Sequence, residues 1–256
     1  MTTLKLYGRL IVTGTIIAKT GLHIGGSGGN FSIGTVDNAV IKNPRTGEPY
    51  IPGSSLRGKM RSLTEKYRGE PLVKHANVRM HTVTNKADYE KSPVANIYGV
   101  SAEEFSLPTR LIVRDVNLTP ESREELRRAR TDTPFTEIKT EVSIDRITSQ
   151  ANPRQLERVP AGAKFGPMEL VYSIYQPQDV EWFKVLVEGM LLLEDDYLGG
   201  SGSRGSGKVG FEDVHVYLKT STNYANPQGA HYPSVQTLYE DIDALTNDMR
   251  QRLFGG

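Results

Sequence analysis

Cysteine is absent from the 256 residues of this chain, which excludes disulfide bridges and thiolate metal sites and is compatible with a reducing cytosol. No apolar run reaches the length of about 18 residues that a membrane span needs, so we expect no transmembrane helix. The first residues lack the pattern of a signal peptide, and we therefore expect a cytoplasmic protein without a membrane partner. A net charge of only +1 means that any surface for a polyanion must be local.

What the chain does have is a concentration of glycine in residues 198–211, LGGSGSRGSGKVGF. Arg204 and Lys208 carry the only long polar side chains in this stretch. Glycine permits positive φ angles and close approach by another molecule, and successive N–H groups in such a loop can bind an anion. The stretch therefore predicts a phosphate-binding loop supplemented by two cations, and a flexible Gly-Ser linker is the alternative.

Residues 202–209, GSRGSGKV, nearly fit the nucleotide-binding pattern G-x-x-x-x-G-K-[ST]. Val209 stands where that pattern needs a hydroxyl group for Mg²⁺, and the pattern also requires a preceding strand and a following helix. Here an apolar helical pattern at 180–193 precedes the loop, and an alternating strand pattern follows it. A nucleotide-using enzyme is thus a disfavoured hypothesis.

A second cationic segment follows YIPGSS at residues 50–55, where Ser54 or Ser55 is predicted to cap a helix. Arg57, Lys59 and Arg61 fall in the first turns of this helix, where the helix dipole disfavours positive charge unless an anion is near. We therefore predict anion binding here, with a solvated helix surface as the alternative.

Hydrophobic periodicity predicts an α+β chain. Strands are expected at 4–18, 109–118, 136–147, 164–175 and 209–218, and helices at 54–67, 120–130, 180–193 (capped by Asp179) and 234–254. The polar, basic stretch 148–162 joins two of these strands, which predicts a protruding thumb-like β-hairpin. We expect a single domain over 1–256 with a ferredoxin-like or RRM-like (RNA-recognition-motif-like) core at about 1–70, 109–130 and 165–220, an inserted lid region at about 71–108, the thumb at about 136–164 and a terminal helix at about 234–254.

Five motifs together resemble those of the RAMP proteins, most closely the backbone subunits of type III-A CRISPR (Csm) effector complexes. They are GLHIGG at 21–26, IGTVDNAVIKNP at 33–44, YIPGSSLRGKMRSL at 50–63, IDRITSQANPRQLER at 144–158 and LGGSGSRGSGK at 198–208. The resemblance covers about residues 15–215 and does not extend to 70–108 or to the C-terminal tail.

This resemblance implies a ferredoxin-like core with an insertion and a thumb, in a subunit that stacks into a helical filament along a CRISPR RNA beside other Csm subunits. It also implies cleavage of complementary target RNA by an acidic residue of the first loop and a divalent metal. The matching residue is Asp37, as catalytic group and metal ligand. An aspartate there would hold hydrated Mg²⁺ or position the attacking 2′-OH, whereas without the resemblance it is more often a turn former.

The residues predicted to contact RNA share a basic, hydroxyl or imidazole side chain, types that bind phosphate and sugar without reading sequence. They are His23, Ser54, Ser55, Arg57, Lys59, Arg61, Arg146, Arg154, Arg158, Arg204 and Lys208. For His23 we favour RNA contact or structural support over proton transfer, while His215 and His231 carry no pattern that can be interpreted. The sequence leaves two functions open: a target-cleaving subunit, and an RNA-binding filament subunit without nuclease activity.

Overall fold

The computed structural model describes residues 4–26, 38–75, 77–100, 105 and 107–255. The strands are β1 (Gly8–Ala18), β2 (Tyr50–Ile51), β3 (Leu72–His75), β4 (Val78–His81), β5 (Leu111–Val113), β6 (Val116–Asn117), β7 (Glu137–Ile144), β8 (Ala151–Arg158), β9 (Lys164–Ile174), β10 (Val209–Thr220) and β11 (Gln228–Ser234). The helices are α1 (Gly53–Tyr67), α2 (Lys86–Lys91), α3 (Pro93–Tyr98), α4 (Pro120–Arg128), α5 (Pro177–Asp195), α6 (Val235–Glu240) and α7 (Ile242–Phe254). None of the helices in these ranges has the length and apolarity needed to cross a bilayer.

The central sheet is antiparallel, with the strand order β11-β10-β1-β9-β5. In chain order β1, α1, β5, β9, α5 and β10 form a βαββαβ unit, and their sheet order is that of a ferredoxin-like fold. Inward side chains of β1 alternate with outward ones, and Leu10, Val12 and Ile16 are buried against the helices. The α+β, ferredoxin-like prediction is confirmed.

The predicted strand at 109–118 is broken into β5, which joins the central sheet, and β6, which pairs with β2. The break at Arg114 and Asp115 lets Asp115 Oδ1 accept a hydrogen bond from the first amide of α1, Gly53 N, at 2.7 Å. The prediction that Ser54 or Ser55 caps α1 is therefore wrong, because the carboxylate of Asp115, between β5 and β6, does so.

The thumb is a hairpin of β7 and β8, paired from Glu137 with Arg158 to Ile144 with Ala151. Asp145 orders its turn, because its carboxylate accepts hydrogen bonds from the amides of Ile147 and Thr148. The expected pairing of 136–147 with 164–175 is wrong. β8 had no strand signal, since most of its side chains are exposed and polar and need no apolar alternation.

Two further differences concern helix boundaries. Asp179 lies in the first turn of α5 rather than at its N-cap, and its carboxylate forms a fully buried ion pair with Arg110 at 3.0 Å. Burial raises the pKa of Asp179 despite the nearby Arg110 charge. The expected terminal helix is divided at Asp241 into α6 and α7, and Ser234 caps the first of them.

Candidate functional site

The glycine-rich loop packs against the segment GLHIGG. Gly200 N donates to His23 O at 2.8 Å, and Gly207 N donates to Gly21 O at 2.9 Å. Gly199 has φ +80°, and a Cβ atom there would collide with the carbonyl of His23, so only glycine allows this approach. The two motifs, more than 170 residues apart in sequence, thus form one surface, which we call the glycine-rich surface.

This packing changes the interpretation of the loop. The amides of Gly205, Ser206, Gly207 and Lys208 donate to acceptors within the protein, so they do not form the predicted phosphate cradle. The flexible-linker alternative is also wrong, because the loop contains a 3₁₀ turn at Gly202–Arg204 and is bonded at both ends. Helix α5 precedes the loop and strand β10 follows it, which confirms that a nucleotide-binding motif is disfavoured.

His23 is 9% exposed and joins the glycine-rich surface to the thumb. Its Nδ1 lies 2.7 Å from the main-chain oxygen of Glu157. A carbonyl oxygen only accepts, so Nδ1 carries the proton and, in the neutral ring, Nε2 keeps the lone pair. This bond gives His23 a structural role and leaves Nε2 as an acceptor.

Glu157, at the base of the thumb, is a residue that sequence reasoning missed. Its carboxylate is buried and accepts from Lys42 Nζ at 2.6 Å, from Val40 N at 2.8 Å and from the hydroxyl of Thr136. Burial raises its pKa, but the hydrogen bonds from these three groups and the Lys42 charge outweigh burial and hold the pKa below its ordinary value. No sequence signal reveals this site, because its partners come from separate segments of the chain.

The backbone of Glu157 also fixes the chain segment that begins at Asn38. Glu157 N donates to Asn38 O at 3.2 Å, and Asn38 and Leu156 form a parallel β-bridge. Asp37, the predicted catalytic residue and metal ligand, lies outside the described residues, but Asn38 is the next residue in the sequence. Glu157 thus holds both His23 and the segment that follows Asp37.

A cleft of about 260 Å³ opens where the glycine-rich surface, the thumb and Asn38 meet. Its walls are His23, Asn38, Glu141, Arg154, Gln155, Leu156, Gly200, Ser201 and Arg204. Arg204 pairs with Glu141 at 2.8 Å but its side chain remains 54% exposed, and Arg154 is exposed. The structure therefore brings His23, Arg154 and Arg204 of the predicted RNA-binding set together.

The cations of α1 lie elsewhere and have internal partners. Arg61 donates to Glu65 Oε1 at 2.7 Å and to the main-chain oxygens of His81 and Gly99 at 2.8 and 3.1 Å. Arg57 donates to Tyr98 O, and burial, followed by the charge of Arg61, lowers its pKa. These contacts account for the two arginines without an anion.

The other members of the predicted set occupy varied positions. Lys59 pairs with Asp196 at 3.1 Å and stacks over the Tyr197 ring, while Arg158 pairs with Glu137 at 2.6 Å. Ser54, Arg146 and Lys208 are exposed, and Ser55 is half-buried. Lys208 lines a separate cleft together with Thr20 and Tyr197, and Arg146 lies in the thumb turn. The predicted set therefore does not form one continuous surface.

Comparison with known proteins identifies the class to which this arrangement belongs. The RAMP superfamily profile matches residues 15–210, and the chain therefore belongs to the RAMP superfamily. It is 38% identical over 261 residues to the CRISPR system Cms endoribonuclease Csm3 of Methanocaldococcus jannaschii, covering 100% of this chain and 98% of that protein.

Two further matches agree with that class. The Csm3 endoribonuclease of Streptococcus thermophilus is 41% identical over 223 residues, which cover 86% of this chain and 93% of that protein. A crystal structure of a Csm3–Csm4 subcomplex from the type III-A CRISPR–Cas interference complex superposes with a TM-score of 0.60 and 31% identity, covering 94% of this chain and 98% of the matched chain. The expected resemblance to type III-A backbone subunits is confirmed.

Proposed function

We propose that this chain is the target-cleaving backbone subunit of a type III CRISPR effector complex, which assembles in copies along CRISPR RNA beside other Csm subunits. The similarity to named Csm3 endoribonucleases over nearly the whole chain carries the proposal. The cleft between the thumb and the glycine-rich surface supports it, because it combines exposed cations with the residue that follows Asp37.

Within this proposal, Arg154 and Arg204 contact the RNA backbone. Both guanidinium groups reach the cleft, and neither reads base identity when bound to phosphate, which suits a subunit that accepts any guide. His23 Nε2 would accept a hydrogen bond from a ribose hydroxyl, since its Nδ1–H is already committed to Glu157. Arg57 and Arg61 are assigned a structural role instead.

Asp37 is proposed as the residue on which cleavage depends. The 2′-OH next to the scissile phosphate would attack phosphorus in line, and the Asp37 carboxylate would position that hydroxyl or hold a hydrated divalent cation. A bound Mg²⁺ would supply stabilisation of the charge that develops on the phosphate.

The donor types around the cleft fit a hard cation that prefers oxygen. Glu141 Oε1 is buried without a hydrogen bond in the described part of the chain, although Lys139 Nζ lies 3.5 Å from it, and Asn38 supplies an amide oxygen. Arg204 holds the other carboxylate oxygen of Glu141, so Glu141 alone would bind such a cation weakly. Asp37 and RNA phosphate oxygens would have to complete the ligand set.

The Asp37→Ala subunit, assembled with CRISPR RNA and the other subunits, tests this assignment. We expect single-turnover cleavage of a complementary target RNA to fall by at least about 100-fold, with target affinity changed less than about twofold. Cleavage by the unaltered complex should stop in EDTA and return with Mg²⁺. Asp243→Ala, which removes an exposed carboxylate of α7, is the matched control.

Undiminished cleavage by the Asp37→Ala complex would overturn the catalytic assignment and favour the alternative, a filament subunit without nuclease activity. A purified protein that binds no CRISPR RNA and does not assemble along it would overturn both functions. Cleavage that persists in EDTA would refute the metal requirement alone.

A further inference from the structure

A β-bulge interrupts β10 shortly after the glycine-rich loop. Thr13 of β1 pairs with His215 and Thr15 pairs with Glu212, so two residues of β10, Asp213 and Val214, oppose Gly14 alone. Asp213 has φ +56°, a left-handed conformation that aspartate tolerates better than most residues. Bulges re-aim side chains, and here the bulge leaves Asp213 exposed beside β11.

Two histidines complete a cluster with Asp213. His215 of β10 and His231 of β11 are direct cross-strand partners, with ring centroids 4.5 Å apart. His231 Nε2 lies 2.7 Å from Asp213 Oδ1, and His215 Nδ1 lies 3.1 Å from the main-chain oxygen of Asp213. One candidate ligand atom from each of the three residues lies within 4.8 Å of the others.

Two of the three side chains in the cluster are well exposed to solvent. The side chains of Asp213 and His231 are 68% and 52% exposed, so water can fill the remaining coordination positions. The contact of His215 Nδ1 with a main-chain oxygen fixes its ring and leaves Nε2 with the lone pair in the neutral form. Metal-bound histidines commonly have their second nitrogen held in this way.

We propose that Asp213, His215 and His231 bind a divalent transition metal, with Zn²⁺ the best fit. Two imidazole nitrogens and one carboxylate oxygen suit Zn²⁺, Ni²⁺ or Cu²⁺, whereas Mg²⁺ prefers oxygen ligands throughout. None of the three residues lines the cleft, so this site is separate from the proposed cleavage chemistry.

The metal would act as a clip across the edge of the sheet. β11 is an edge strand that pairs with β10 and leads directly into α6 and α7. An ion bound by both strands ties β11 to β10 beside the bulge, which itself lies in the pairing of β10 with β1. Binding to the folded protein alone then raises the thermal stability of the whole chain in proportion to the logarithm of the free metal concentration.

Titration of the purified full-length protein with Zn²⁺, and with Co²⁺ as a spectroscopic probe, tests the proposal. We expect one Zn²⁺ site per chain, visible Co²⁺ absorption bands that Zn²⁺ removes, and a midpoint of thermal unfolding about 5 °C higher at a hundredfold excess over Kd. A hundredfold excess of Mg²⁺ over Zn²⁺ should not compete.

Asp213→Asn, His215→Gln and His231→Gln should each weaken Zn²⁺ binding by at least about tenfold. Asparagine also tolerates the left-handed conformation, so the first variant preserves the bulge. Glu212→Gln is the matched control, because it removes one negative charge at the residue next to Asp213. The carboxylate of Glu212 pairs with Lys19 and does not belong to the cluster. The proposal would be overturned if Zn²⁺ did not bind. It would also be overturned if the three variants weakened Zn²⁺ binding no more than Glu212→Gln does, and the cluster would then be only a His231–Asp213 hydrogen bond.

Discussion

The cations at the start of α1 and those around the cleft look alike in sequence and differ in the folded protein. Arg57 and Arg61 donate to main-chain oxygens of Tyr98 and Gly99, where α3 ends. Arg154 and Arg204 line the cleft with exposed side chains. Four arginines predicted to bind RNA thus divide into a pair directed inward and a pair directed outward.

The difference shows that a cation near a helix start does not by itself indicate an anionic ligand. The dipole of α1 disfavours Arg57 and Arg61, but the final carbonyl groups of another helix carry the opposite partial charge. The protein therefore supplies the compensating negative charge from its own inserted region. Three variants test this division, in decreasing order of expected effect.

Arg61→Met should have the largest effect, on stability. It removes three hydrogen bonds and leaves the buried Glu65 without its cation, so the free energy of unfolding should fall by about 3–5 kcal/mol. Chemical denaturation monitored by circular dichroism gives this value. The salt dependence of RNA binding should stay unchanged.

Lys66→Met, on the exposed side of the same helix, is the matched control and should change stability by less than about 0.5 kcal/mol. A stable Arg61→Met protein with a smaller salt dependence would mean that Arg61 contacts phosphate, and the division between the two groups of cations would fail.

Glu157→Gln should have an intermediate effect, because it loosens the base of the thumb without removing a cleft cation. The loss of charged hydrogen bonds should lower the free energy of unfolding by about 1.5–3 kcal/mol. Target cleavage should fall about 10-fold or more, while RNA affinity changes less than about threefold. Glu137→Gln, a carboxylate of the same hairpin that pairs with Arg158, is the control.

The same residue gives a pH dependence with a defined sign. The pKa of Glu157 is lower in the folded protein than its ordinary value of 4.5, so its contribution is complete above about pH 4.5 and is lost as pH falls through the folded value. The difference in stability between the unaltered protein and Glu157→Gln should therefore shrink on acidification. A difference that grows instead would contradict the assigned ion pair.

Combined Arg154→Ala and Arg204→Ala substitutions should have the smallest energetic effect and the clearest effect on binding. RNA affinity should fall by about an order of magnitude, and the slope of log K against log salt should decrease by about 0.7 for each lost phosphate contact. Stability should change little. Arg128→Ala, which removes an exposed arginine of α4, is the control and should leave the slope unchanged. If the slope changed equally in the double variant and in Arg128→Ala, the cleft would not be part of the RNA interface.

The sequence alone determined the α+β, ferredoxin-like class, because alternating apolar residues such as those of β1 bury one face wherever the strand lies. The motif GLHIGG and the glycine-rich loop also identified the family before any contact between them was known. Those contacts, including the close approach at Gly199, were not predictable from either motif by itself.

Only the tertiary structure decided which partner each polar group has. Asp115 caps α1 from the break between β5 and β6, Glu157 joins His23 to the segment after Asp37, and Asp213 in the bulge of β10 meets His231 on β11. Each of these contacts joins residues from different parts of the chain. Periodicity reports burial along one segment, whereas the partner of a buried or bonded polar group depends on which segments the fold brings together.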